Sequence, residues 1–118
     1  MAVLPVQAHH SFVAEFDVHQ PEKFTGVVTK VEWSNPHAYF YVEVADETGA
    51  TVTWMCQTGS PNVLIMSGWL PESVKVRDTL TVDGYRARSG SKLANVWSVE
   101  LGDGRTLMAG SSRDVTPR

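Results

Sequence analysis

Apolar and polar residues alternate with a period of two through most of this chain, and turn residues interrupt the alternation at short intervals. That pattern belongs to short strands half-buried against a common core, and it predicts a mostly-β domain. Residues 23–33 read as the first strand, with Val27, Val31 and Trp33 on one face. Asn35-Pro36 ends it, because proline has no N–H to give to a ladder. Residues 37–45 read as the second strand, in strict alternation. Ala38, Phe40, Val42 and Val44 point one way; His37, Tyr39, Tyr41 and Glu43 point the other. Asp46-Glu47-Thr48-Gly49 turns the chain into a third strand, residues 50–57, where Val52, Trp54 and Cys56 share a face.

Ser60-Pro61 has the form of a helix cap followed by proline at the first helical position. A short helix near residues 60–67 follows from it, ended by Gly68. Residues 76–88 read as a fourth strand, with Leu80 and Val82 opposed to Thr79, Thr81 and Asp83. Residues 93–101 read as a fifth. Asp103-Gly104 supplies the positive φ angles of a primed turn, leading into a last short strand over 105–108. Three strands, a helix and two strands is the element order of an OB-like barrel, here five- to six-stranded with one short helix. A β-sandwich with an incidental helical turn is the alternative.

The chain has 118 residues, enough to bury one core without staples. Its hydrophobic fraction of 42% excludes the disordered class. The formal charge of −3 and ten scattered basic residues, no two adjacent, argue against a nucleic-acid partner. No apolar run approaches the roughly 20 residues of a membrane span. The single cysteine, Cys56, reads as a small buried hydrophobe. Four tryptophans, Trp33, Trp54, Trp69 and Trp97, read as core, the strand residues Trp54 and Trp97 by alternation and Trp69 over one barrel end.

The first eight residues are mostly apolar, and Val6-Gln7-Ala8 has the small-x-small form of a signal-peptidase site. Residues 1–8 therefore read as the remnant of a signal peptide, or else as a flexible tail. Cleavage after Ala8 would start the mature chain at His9 and place it in the periplasm or outside the cell. The domain is expected over residues 9–112, with a mobile tail over 113–118.

Several motifs together resemble a known family: His9-His10-Ser11-Phe12, the run from Lys30 to His37, Gly59-Ser60-Pro61-Asn62 with Gly68-Trp69, and Ala109-Gly110-Ser111-Ser112. The family is one of small secreted bacterial proteins of unknown function, domain of unknown function 6152. The resemblance implies a signal peptide and residence outside the cytoplasm, and implies no activity. The chain departs from that pattern at Ile65-Met66-Ser67, where relatives look more basic, which weakens any anion site there.

Candidate chemistry centres on histidine. His9, His10 and His37 are the candidate metal ligands, since imidazole suits copper and zinc. A chain starting at His9 offers its amine and the His9 imidazole as one chelate, with His10 or His37 adding nitrogen. Such a set favours Cu(II). A start at Ala8 would place a histidine third, an arrangement that also binds Cu(II). Against this, His37 has a plain structural use as a hydrogen-bonding residue at a strand edge. Tyr39, Tyr41 and Glu43 are candidate ligand-binding residues, with Thr53, Met55 and Gln57 as third-strand neighbours, because polar-tipped aromatics stack on flat ligands. No motif specifies a reaction. Three classes remain: a binding protein for a metal or small molecule, an interaction module docking on an envelope protein, and a small copper-dependent oxidoreductase.

Overall fold

Among the described residues, six strands and the short helix after the third follow the predicted order. The structure, a computed structural model, describes Phe12 and residues 14–110. Its elements are β1 (Phe16–Glu32), β2 (Tyr39–Ala45), β3 (Thr51–Gln57), α1 (Pro61–Met66), β4 (Thr79–Ala87), β5 (Leu93–Glu100) and β6 (Thr106–Met108). The sheet runs β3-β2-β1-β4-β5-β6, and β3 also pairs with β5, so the first five strands close into a ring. Every pairing is antiparallel except β3–β5, which is parallel. This is the OB-like connectivity that the element order predicts.

The ring is strongly staggered. One row of paired residues runs from Glu32 to Tyr39, Gln57, Asn95, Tyr85 and Pro21, returning to β1 eleven residues before it began. Such stagger is what closing so few strands requires. It is also uneven: β1–β4 holds eight register pairs, β3–β5 only three.

The inside is filled by Phe24, Val28, Phe40, Val42, Trp54, Cys56, Leu80, Val82, Val96 and Val99. Phe24 stacks on Trp54 with centroids 4.6 Å apart. α1 closes one end with Leu64, its single buried residue, and Trp69 joins the same core. Ser60 starts the helix as expected, its Oγ accepting the Val63 N–H at 3.2 Å, and Gly68 ends it at φ +98°. A smaller cluster of Phe12, Phe16 and Ala87 packs with Tyr85 and Leu93.

Several expectations need correction. β1 starts at Phe16 rather than 23, because four residues, Asp17 to Gln20, bulge opposite Arg86 alone and break the alternation. The predicted β1 face is split. Phe24 and Val28 face the core, whereas Val27 and Trp33 are exposed. Thr29 is an extra residue between the Val28–Val42 and Lys30–Tyr41 pairs, and this bulge inverts the parity so that only Val31 of the expected set packs inward. β4 starts at Thr79, not 76, since residues 71–77 are spent on turns. Trp97 lies outside the core, 4.5 Å from the Tyr85 ring.

The β5–β6 turn also differs in type. Gly104 alone has positive φ, at +90°, and its N–H donates to the Leu101 carbonyl while Leu101 N–H donates to Arg105. That is a three-residue loop ending in a left-handed glycine, not a primed two-residue turn. The β2–β3 loop repeats it with Gly49 at φ +86°.

Candidate functional site

Strict alternation on β2 puts Tyr39, Tyr41 and Glu43 on the outside of the ring, opposite Phe40 and Val42, and His37 precedes them in the same parity. The register then builds a face across three strands. Glu32, Tyr39 and Gln57 form one row, and Lys30, Tyr41 and Met55 the next. Glu43 opposite Thr53 ends the face in the open.

Each aromatic on this face is held by a polar partner. The Tyr41 hydroxyl donates to Glu32 Oε1 at 2.8 Å, and Lys30 Nζ stands 5.4 Å from the centre of its ring. Lys30 also approaches Glu32 at 3.8 Å. The Tyr39 hydroxyl donates to Gln57 Oε1 at 3.3 Å, and Gln57 is buried although it lies on the outer side. Both phenols have raised pKa values, Tyr41 through its bond to Glu32, and Tyr39 through desolvation, then the charges of Glu15 and Glu32. They stay protonated donors across the physiological range.

His37 sits just before β2, its ring edge-on to Tyr39 at 6.3 Å. Its Nδ1 lies 2.8 Å from the Thr58 carbonyl, which can only accept, so Nδ1 carries the proton. A neutral ring then presents the lone pair of Nε2. The same bond fulfils the structural use expected of a histidine at a strand edge.

His9 and His10 lie outside the described residues, as do residues 1–8 and 113–118. Among the described residues, no group of three or more His, Cys, Asp or Glu side chains is placed to hold a metal ion. Cys56 is fully buried, and burial pushes its thiol well above the usual range. Among the described residues, no helix is long and apolar enough to cross a membrane.

Three participants have no role assigned by the sequence pattern: Lys30, and the carboxylates Glu32 and Glu15, whose spacing demands no acid–base chemistry; Glu32 binds Tyr41 and the charge of Glu15 reaches Tyr39. The parity change at Thr29 hid how the first two line up with Tyr41 and Tyr39. Glu15 belongs to the stretch around Phe12, which packs on Phe16 and Tyr85 far from β2 in sequence.

A small OB-like barrel with a polar-aromatic outer face is thus the class that fold and surface define. The chain belongs to the Family of unknown function (DUF6152), whose model matches residues 1–95. The match takes in β1 to β4 and the whole polar-aromatic face. No curated protein and no solved structure matches the chain.

Proposed function

We propose that this domain is an extracytoplasmic binding protein that holds a transition-metal ion, Cu(II) before others, at the His37 corner of the polar-aromatic face. The observation that carries the reading is the His37–Thr58 hydrogen bond. It fixes the ring and the tautomer, and leaves Nε2 as a directed nitrogen donor, the arrangement that orients histidine ligands in metal sites. One imidazole is too little for a tight site, so further ligands have to come from His9 and His10. The Phe12–Glu15 stretch supports that route, because Glu15 is close enough to Tyr39 to raise its pKa. His9 is three residues before Phe12, a reach of roughly 10 Å. Nitrogen donors in this number favour Cu(II), which heads the divalent affinity order. The cleavage-like Val6-Gln7-Ala8 supports export and a free amine at His9.

Copper titration of two chain starts tests the proposal. Protein beginning at His9 is expected to bind one Cu(II) with a nitrogen-rich electron paramagnetic resonance signature, and the chain beginning at Met1 far more weakly. His37→Ala should weaken the first form by roughly tenfold or more. Equal, weak and non-stoichiometric binding by both starts removes the metal reading. Tight binding indifferent to His37→Ala removes the barrel from the site.

A further inference from the structure

α1 carries no charged residue: there is no acid in its first turn and no base in its last. Its sequence after the cap is Pro61-Asn62-Val63-Leu64-Ile65-Met66, and only Leu64 is buried. A helix apolar nearly all round is ordinarily enclosed by protein. Here Ile65 is 52% exposed, Met66 81% and Leu70, just beyond the helix, 58%. Val63 flanks them, and Trp33 is also exposed while leaning on Trp69 at 6.5 Å. Taking about 200 Å² for a large side chain, these five residues leave roughly 500 Å² of apolar surface outside.

We propose that this face is covered by the same face of a second copy, in a two-fold symmetric dimer. Two such patches, fully covered, together bury about 1,000 Å², the size of a weak interface and short of the roughly 1,200 Å² at which stable ones begin. α1 itself brings no charge to a symmetric contact, so its own residues add no like-charge repulsion. Met66, the most exposed of the group, has the unbranched side chain that adapts to a copy of itself. The residues beyond Gly110, where the chain passes Val63, are a poor cover: Ser111 to Arg118 contain one aliphatic side chain, Val115, against three charged ones. A lipid surface is also a poor match, since membrane-lying helices carry Lys or Arg on the polar face and α1 has none.

Sedimentation equilibrium of the full chain between about 1 and 200 μM tests this, at concentrations that bracket a weak dimer. The expected result is a reversible dimer that Met66→Glu or Ile65→Glu shifts to monomer by at least tenfold in dissociation constant. Circular dichroism should show both variants folded, and Met66→Gln gives a milder change if Met66→Glu does not fold. A monomer at 200 μM overturns the proposal. So does a dimer that survives all three substitutions, or a monomer that floats with phosphatidylcholine vesicles.

Discussion

Arg86 is set on the inward side of β4, in step with Leu80 and Val82, and its guanidinium lies 5.7 Å from the centre of the Trp54 ring. Glu22 meets it at 3.3 Å and the Gly90 carbonyl accepts from it at 3.0 Å, while its Nε is buried with no hydrogen-bond partner among the described residues. Both side chains are less than a third exposed, so the pair sits where losing one partner matters more than the pair is worth. Glu22→Ala should therefore destabilise by about 1–3 kcal/mol, and Arg86→Met by clearly less. Urea denaturation of the two variants checks the order. A cost for Arg86→Met equal to or above that of Glu22→Ala would show that the stacking on Trp54, not the charge, is what matters. At this scale the sequence was informative where one strand decides: β2 alternation alone put His37, Tyr39 and Tyr41 on one face. It was silent where two strands meet, because the Tyr41–Glu32 and Arg86–Glu22 contacts depend on register.

The elements show why register was the limit. β2 and β3 alternate without interruption, and their predicted inner faces are the observed ones. β1 does not, since the bulge at Thr29 and the longer one at Asp17 to Gln20 each add residues that periodicity counts as ordinary. A bulge is a backbone decision made by the partner strand, so nothing in the local pattern announces it. The hairpins were legible in position and not in type. Asp103-Gly104 marks the turn, but a single left-handed residue at Gly104 suffices when the loop is one residue longer than a primed turn. Gly104→Val puts a β-branched residue at φ +90°, with open space around its Cβ. Strain and not collision is then the cost, about 1 kcal/mol or more. Thermal melts of Gly104→Val and Gly104→Asn check it: asparagine, which tolerates this region better, should recover part of the loss. An unchanged melting temperature for the valine variant would place the left-handed residue elsewhere.

The whole molecule is a ring with one thin seam. β3 and β5 meet through Met55–Leu93, Cys56–Ala94 and Gln57–Asn95 only, whereas β2–β3 holds seven register pairs and β1–β4 eight. Parallel pairing is also slightly less stable per residue than antiparallel. Opening the seam exposes Cys56 and Ala94 but leaves the β1–β2 and β1–β4 ladders intact, so it should occur below the free energy of global unfolding. Cys56 reports on it directly. It is the chain's sole cysteine, fully buried, with a thiol that desolvation holds protonated, so a thiol reagent reaches it only through an opening. Labelling in native buffer is expected at least about tenfold faster than the global unfolding equilibrium allows, with a shallower dependence on urea than the equilibrium transition. If labelling and unfolding share one slope and one extrapolated free energy, the seam opens only with the whole barrel. The ring then behaves as a single cooperative unit despite its uneven pairing.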